Sequence, residues 1–359
     1  MINSRDVSDR RDGTDPETET ETECRPPLRG DIEGSERLAS LVDEARDYAL
    51  SAVAPNTLRA YSTDWTHFER WCRRHGASPL PPSAELIGLY LTDCAQPTRR
   101  VDGLTVATIE RRLSGLAWNY AQRGHAFDRK DRHIASVLAG IRRRHARPPR
   151  QKEAVSSSDV LAMLAVLSKD LRGLRDRAIL LVGFAGGLRR SEIVGLDRGR
   201  DDTPEGRGWV EIESAGALLR LRGKTGWRDV EIGRGAHADS CPVSNLEAWL
   251  KMAGIGDGAL FRRTSRDGAR ALESRLSAQH IALLVKRCAE KAGLRGDLPE
   301  RDRLLLFSGH SLRAGLASHA EIEERHIQKH LGHSSAEMTR RYQRRRDRYR
   351  VNLSRALGL

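Results

Sequence analysis

The chain has 359 residues, a formal net charge of +13 and a sequence pI near 10. A polyanion is therefore the first partner to consider, and the length favours two domains over a single hydrophobic core. No apolar run reaches the roughly 18 residues of a membrane span, the amino terminus lacks the apolar part of a signal peptide, and the five cysteines form no CxxC pair, so we expect a soluble protein of the reducing cytoplasm without a disulfide framework or zinc site.

The first 36 residues are acidic and repetitive, with an ETETETE run. They hold 5 arginines and 11 acidic residues, a net charge of −6, and +13 less −6 leaves +19 for the rest of the chain. Because large apolar side chains are too few to offset the entropy of folding, the pattern predicts a disordered tail. A role in solubility is favoured over a regulatory one.

Residues 37–145 are predicted to form a helical domain. From Asn56, with Thr57 as the N-cap, apolar residues recur at steps of three and four, which is typical of a helix with one buried face. Further helices are predicted over 83–94, 105–122 and 131–144. Four residues of this domain are candidates for DNA contact, with solvated helix faces as the alternative: Thr57, Arg59, and Arg111 and Arg112, which are expected to point outward.

Residues 146–156 combine paired prolines, arginines and a serine cluster. Such a segment is not expected to pack as a regular element, so it is predicted to be a linker. Its basic residues, including Arg147 and Arg150, would suit it to lie along a phosphate backbone.

Residues 157–359 are predicted to form a second domain. Helices are expected over 157–167 and 174–186, followed by three antiparallel strands within 209–233, and the chain beyond Pro242 reads as mostly helical. The fold class is therefore mainly α with a small antiparallel β-sheet.

Two short motifs in this domain carry basic residues at turns. In GLRRSE, Arg189 lies where one apolar helix ends and another begins, a position suited to an anion, although a surface pair with Glu192 explains it equally well. In GKTG, Lys224 occupies the turn between two predicted strands. A solvated charge is the alternative for that lysine.

Two later motifs carry histidines. In GHSLR, His310 and Arg313 share a helix face and can address one phosphate together, although a capping histidine beside a solvated arginine is also plausible. In LGHSS, a helix ends at a glycine and a new one begins. Tyr342 follows nine residues after His333, two turns into that new helix.

These four motifs, in this order, resemble those of the tyrosine recombinase family, also called the phage integrase family, which includes Cre-like and Xer-like enzymes. The resemblance covers about residues 40–357. It implies an N-terminal helical core-binding (SAM-like) domain and a C-terminal mixed α/β catalytic domain. It also implies six catalytic residues, all present: Arg189, Lys224, His310, Arg313, His333 and Tyr342.

The chemistry that the resemblance implies needs no metal or cofactor. Tyr342 attacks a DNA phosphodiester to give a 3′-phosphotyrosyl link, with His310 as base and Lys224 protonating the departing 5′ oxygen. The two arginines stabilise the transition-state charge, and His333 binds the phosphate or positions the tyrosine. Glu192 is expected to orient Arg189 and His310 from behind.

The resemblance further implies double-stranded DNA with an inverted-repeat site as partner, bound by a dimer and recombined in a synaptic tetramer in the nucleoid. The C-terminal RYRVNLSRALGL is expected to dock on a neighbouring protomer, with packing in cis as the alternative. Tyr349 is a competing nucleophile that is better explained by packing. No small sheet domain precedes the helical domain, which favours a recombinase without separate arm sites.

Two other functions remain open at this point. A type IB topoisomerase shares the chemistry but cuts, swivels and reseals one duplex. A DNA-binding regulator with an inactive site belongs to another class, and the presence of all six residue types speaks against it.

Overall fold

The computed structural model describes residues 36–97, 102–148, 151–223, 226–320, 322–333 and 335–346. The chain divides between Pro148 and Pro149 into two compact units. Several predicted features lie outside the described residues: the acidic tail up to residue 35, Arg150, Lys224, Tyr349 and the C-terminal docking segment. Within the described ranges, no helix has the length and apolar character needed to cross a bilayer.

The described part of the first unit is helical. Its helices are α1 Glu36–Ser51, α2 Pro55–Arg74, α3 Ala84–Ala95, α4 Val106–Gln122 and α5 Arg132–His145. Helices α3, α4 and α5 confirm the helices predicted over 83–94, 105–122 and 131–144, and the side chains of Ser83, Thr105 and Asp131 accept backbone N–H bonds at their starts.

Two features of the first unit differ from the sequence prediction. The Thr57 N-cap is wrong: α2 begins at Pro55, because the fixed φ of proline suits the first helical position. Helix α1 was not predicted, and two of its large apolar side chains are exposed, Leu41 by 50% and Tyr48 by 73%.

Aromatic rings form the core of the first unit. Trp65 packs edge-to-face on Tyr120 at 5.2 Å between ring centroids, and Phe68 packs on Tyr90 at 4.9 Å. Because these rings come from α2, α3 and α4, each contact joins two helices and buries a large apolar area.

Arg112 points into this unit, so its predicted outward orientation is wrong. The side chain is only 13% exposed. Its Nη1 atom donates to Tyr90 Oη at 3.0 Å and to Cys94 Sγ at 3.2 Å. Tyr90 and Cys94 give the Nη1 atom acceptors inside the unit, which helical periodicity alone cannot reveal, while Nε is buried without a hydrogen-bond partner among the described residues.

The second unit is mainly helical with two small antiparallel sheets, which confirms the predicted fold class. Its elements are α6 Ser157–Ala165, α7 Leu171–Ala185, α8 Arg190–Gly195, β1 Gly208–Ile212, β2 Gly216–Gly223, β3 Gly226–Gly233, a 3₁₀ turn Ala238–Ser240, α9 Pro242–Ala253, β4 Arg262–Thr264, β5 Ala271–Arg275, α10 Ala278–Lys291, α11 Glu300–Leu306, α12 His310–His319, α13 Glu324–Leu331 and α14 Ala336–Arg346. The hairpin of β4 and β5 was not predicted, because its short strands lack a buried apolar row.

The predicted three-stranded sheet is present, with strand order β1-β2-β3. Alternate residues of its strands, among them Leu219, Val230 and Ile232, are buried in one core with Trp249 of α9. Gly223 pairs with Gly226, which closes the β2–β3 hairpin around residues 224–225.

Residues 151–156 have a packed position that the linker prediction did not include. Val155 is fully buried, and its N–H donates to the carbonyl of Ser311 at 3.3 Å. A Cβ on Gly315 of α12 would overlap the Val155 carbonyl oxygen, so a glycine is required for this close approach.

Two glycine-to-alanine substitutions should therefore have opposite effects. Gly140→Ala should raise the free energy of unfolding by about 0.5–1 kcal/mol, since Gly140 lies inside α5 with nothing near its Cβ position. Gly315→Ala should lower it by about 1–3 kcal/mol, because segment 151–156 must move. Denaturant unfolding monitored by circular dichroism measures both. A Gly315→Ala variant as stable as the parent would contradict the close approach.

Candidate active site

Arg189 and Glu192 are held together at the start of α8. Arg189 is the N-cap residue, and its backbone N–H donates to Glu192 Oε2 at 2.8 Å. Its side-chain Nη1 donates to Glu192 Oε1 at 2.7 Å. The Glu192 side chain is only 5% exposed whereas that of Arg189 is 39% exposed, so a buried carboxylate orients a guanidinium that still faces solvent.

Arg228 of β3 is a second partner of the same carboxylate. Its Nη2 atom donates to Glu192 Oε2 at 2.8 Å. Burial raises the pKa of Glu192, but Arg228 and Arg189 outweigh that effect, and the pKa lies below its usual value. From the sequence, Glu192 was predicted to orient both Arg189 and His310. The observed partners of the carboxylate within the described residues are the two arginines.

Arg313 is fixed by two backbone carbonyls, one just beyond the C-cap of α7 and one at the last residue of α13. It is 2% exposed, and its Nη1 and Nη2 atoms donate to the carbonyls of Gly187 at 2.8 Å and Leu331 at 2.6 Å. Gly187 has φ +55°, and a Cβ there would overlap the Leu331 side chain. Burial, together with the nearby Arg189, lowers the pKa of Arg313 to about 10.

Tyr342 of α14 lies against both histidines. Its Oη atom is 2.7 Å from His310 Nε2. Its ring stacks on that of His333 with centroids 5.9 Å apart and an interplanar angle of 11°. Gly332, in the left-handed conformation at φ +61°, makes the turn that brings His333 under the tyrosine, as the LGHSS motif predicts.

Both histidines are disposed to be neutral. Burial lowers the pKa of His310, and the charges of Arg313 and Arg189 lower it further. The same causes lower the pKa of His333 to about 4. His333 Nδ1 is 2.9 Å from Thr339 Oγ1, whose residue is fully buried. A neutral imidazole beside a phenol can accept its proton, and the guanidiniums suit a phosphate.

The structure brings together five of the six predicted catalytic residues, Arg189, His310, Arg313, His333 and Tyr342. The sixth, Lys224, belongs to the two residues at the hairpin tip that are not described. The other predicted contact residues that are described lie in the first unit. Among them Arg59 and Arg147 are exposed, Thr57 is half-buried, and Arg111 is 43% exposed in an ion pair with Asp64.

Two residues of the site were missed by the sequence analysis. Arg228 has the same phase in β3 as the buried Val230 and Ile232, so a charged residue at an apolar position was a usable signal. Thr339 lies three residues before Tyr342 and therefore shares a helix face with it. That spacing by itself does not indicate a bond to His333.

Comparison with known proteins gives a consistent result. Residues 153–348 match the phage integrase family. An integrase/recombinase XerD homolog of Selenomonas ruminantium is 32% identical over 320 residues, covering 87% of either chain. Tyrosine recombinase XerC of Xanthomonas campestris is 26% identical over 336 residues, covering 89% of this chain and 91% of its own.

Two solved structures are similar in fold. One is the XerH site-specific recombinase bound to a palindromic difH substrate after cleavage, with a TM-score of 0.54, 18% identity and coverage of 84% of this chain and 79% of that one. The other is a lambda integrase dimer bound to a COC′ core site, with a TM-score of 0.52, 18% identity and coverage of 88% and 97%. At this identity the likeness concerns the fold alone.

The buried state of His333 predicts a pH dependence of stability. Its pKa of about 4 in the fold lies below the value of about 6.5 expected when unfolded, so between these values the unfolded chain binds the extra proton. Stability should therefore fall as the pH falls. When the pH falls from 7 to 5, this histidine should cost the parent protein about 2 kcal/mol of its free energy of unfolding. The His333→Gln variant lacks the histidine, so its free energy of unfolding should fall by about 2 kcal/mol less over the same pH range.

Urea titrations at the two pH values measure this difference. His326→Gln is the matched control, since His326 is an exposed histidine of α13. An equal pH dependence in the parent and in His333→Gln would contradict the lowered pKa.

Proposed function

Because this chain belongs to the phage integrase family, we propose that it is a site-specific tyrosine recombinase that cuts and rejoins DNA through a 3′-phosphotyrosyl link to Tyr342. One observation carries the proposal. Tyr342 Oη lies 2.7 Å from His310 Nε2, in a pocket that also contains His333, Arg189 and Arg313.

Proton transfer from the tyrosine is the first requirement of the reaction. A phenol has a pKa of about 10 and is a poor nucleophile near neutral pH. The lowered pKa of His310 keeps its imidazole neutral, so Nε2 can accept the phenolic proton as Tyr342 Oη bonds to phosphorus. The bond from phosphorus to the 5′ oxygen breaks, and Lys224 supplies the proton that completes the free 5′-hydroxyl.

The arginines stabilise the charge that develops on the non-bridging oxygens. Arg313 is held by two carbonyls before any substrate binds, so its guanidinium needs little reorganisation during the reaction. Arg189 is held by Glu192 and remains partly exposed, which leaves donors available to a phosphate. Their planar donor sets match a phosphate in a way that lysine does not.

His333 contributes through position. Its flat contact with the Tyr342 ring limits the rotation of the tyrosine, and Nδ1 is engaged by Thr339. Nε2 is then the ring atom available to the scissile phosphate. Before a phosphate binds, the ring is neutral at neutral pH, because the pKa of His333 is about 4.

Strand exchange is possible because the phosphotyrosyl bond retains the energy of the phosphodiester that was cut. A 5′-hydroxyl of a second duplex can attack the phosphotyrosine, so rejoining needs no ATP. We assign the chain an inverted-repeat DNA site, a dimer on each site and a synaptic tetramer. The net charge of +13 supports a DNA partner, as do the palindromic substrate and the core-site dimer of the two recombinases of similar fold.

Of the predicted DNA-contact residues in the first unit, we propose that the exposed and half-buried ones contact DNA and that Arg112 does not. Arg59, Arg111, Arg147 and half-buried Thr57 remain candidates, and Arg150 joins them from the sequence alone. Arg112 is withdrawn from that set, because its side chain is only 13% exposed and its Nη1 atom donates to Tyr90 and Cys94 within the unit.

Tyr342→Phe should abolish covalent attachment to DNA, since the phenol oxygen forms the new bond. The wild-type protein, Tyr342→Phe and the matched control Tyr349→Phe are incubated without magnesium with nicked duplexes from the DNA flanking this gene. Denaturing gels then detect the protein–DNA adduct, which only the wild type and the control should form.

Each other outcome of this experiment has a distinct meaning. An adduct with Tyr342→Phe that disappears in Tyr349→Phe would move the nucleophile and overturn the assignment. Specific binding by the wild type without any adduct would support the regulator. Relaxation of a supercoiled plasmid that lacks the flanking DNA would support a topoisomerase.

The salt dependence of DNA affinity should distinguish Arg111, a proposed phosphate contact, from its neighbour Arg112. Arg59→Ala and Arg111→Ala should each reduce the slope of log affinity against log salt by about 1, because each removes one phosphate contact. Arg112→Ala should leave the slope unchanged and lower the free energy of unfolding by roughly 1–3 kcal/mol. Fluorescence anisotropy at several salt concentrations, with denaturant unfolding, measures these effects. An unchanged slope in Arg111→Ala would remove that residue from the interface.

A further inference from the structure

Arg228 is a charged residue on the buried face of a strand. In β3 it has the phase of Val230 and Ile232, which are 1% and 4% exposed. Its own side chain is 13% exposed. A leucine would complete that apolar face, whereas a guanidinium has to be removed from water and needs partners in the fold.

The partners of Arg228 come from two other elements of the site. Nη2 donates to Glu192 Oε2 at 2.8 Å, and Nη1 donates to the carbonyl of His330 at 3.0 Å. Its Nε is buried without a hydrogen-bond partner among the described residues. The side chain therefore bridges α8 and the end of α13 from a position on the sheet, and it does so at some cost in unsatisfied polarity.

The hydrogen bond from Arg228 to Glu192 helps to orient the carboxylate that holds Arg189. Oε1 accepts from the Arg189 side chain, and Oε2 accepts from Arg228 and from the Arg189 backbone N–H. With Oε2 held, the carboxylate cannot rotate freely, and Oε1 stays directed at Arg189. Without Arg228, a carboxylate that is 5% exposed would lose one of its two cationic partners.

The aliphatic part of the Arg228 side chain packs at Gly332, the residue that precedes His333. Its Cδ atom lies 2.5 Å from the position that a Cβ on Gly332 would take, so the arginine packs directly on the turn between α13 and His333. The bond to the His330 carbonyl holds the same turn from its other side. Arg228 thus supports the backbone that delivers His333 to Tyr342.

We propose that Arg228 is a positioning residue that holds Arg189, through Glu192, and the His333 turn in register for the scissile phosphate. It does not touch the substrate. This inference rests on the proposed function, since it assigns Arg228 to the same phosphate-binding site.

If Arg228 positions the phosphate-binding groups, its removal should lower the rate of adduct formation, and the size of that decrease should depend on the charge of the phosphate. Arg228→Leu keeps the apolar face of β3 complete but removes one of the two donors to Glu192 Oε2 and the bond to the His330 carbonyl. The rate of adduct formation should fall about 10²-fold, as expected when catalytic groups shift by about 1 Å, while DNA affinity changes less than about 3-fold. Arg228→Lys keeps a charge near Glu192 but cannot hold both acceptors, so its rate should fall about 10-fold.

The discriminating substrate carries a methylphosphonate at the linkage that the wild type cuts. Replacing one non-bridging oxygen by methyl removes the negative charge that the arginines stabilise. The loss in Arg228→Leu should then shrink from about 10²-fold to below about 10-fold, whereas general damage to the fold would lower the rates on both substrates equally. Arg220→Leu is the matched control: it removes the same charge from the outer face of the same hairpin, where Arg220 pairs with Glu211 at 3.1 Å, and should stay within about 2-fold of wild type.

The full-length variants are compared by single-turnover adduct formation on both substrates, with thermal unfolding as the check on folding. A wild-type rate in Arg228→Leu, or equal losses on phosphate and methylphosphonate, would overturn the proposal. If Arg228→Leu does not fold, Arg228→Lys decides by the same comparison. Absence of an adduct with the wild-type protein would instead overturn the proposed function, and this inference with it.

Discussion

The buried carboxylate of Glu192 is the contact on which the geometry of the site depends. Arg189, Arg228 and Arg313 are close enough to influence one another, and like charges at such distances repel. Glu192 bonds directly to two of them, and its negative charge opposes the lowering of the Arg313 pKa. The three guanidiniums can therefore lie close together without a bound anion, because one carboxylate partly balances their charge.

Backbone carbonyls also hold the arginines of the site in place. The carbonyls of Gly187, His330 and Leu331 accept hydrogen bonds from Arg313 and Arg228. His330 and Leu331 belong to the last turn of α13, where carbonyls lack intrahelical partners and carry partial negative charge, so they suit buried guanidiniums. The elements that present the tyrosine recombinase residues are thus joined through their own termini, which keeps the arginines rigid without further acidic side chains.

Local features of the fold were predictable from the chain. Caps at Ser83, Thr105 and Asp131, the periodicity of the helices and the alternation in the β2–β3 hairpin are all short-range signals, and the structure contains them. Arg112 and the short β4–β5 hairpin were not predictable in this way. A side chain's orientation toward partners on another helix, and the pairing of exposed strands, depend on contacts that periodicity does not encode.

For the site, the sequence by itself determined the residue types, their order and the spacing of four motifs, and hence the family. Those are properties of short segments. Tertiary structure alone decided which groups support them: Arg228 lies 36 residues from Glu192 and 102 from His330. The Thr339 bond to His333 spans six residues across a turn and was likewise not evident from spacing. Such pairs are set by how sheet and helices pack, because a hydrogen bond depends on distances between atoms and not on separation along the chain.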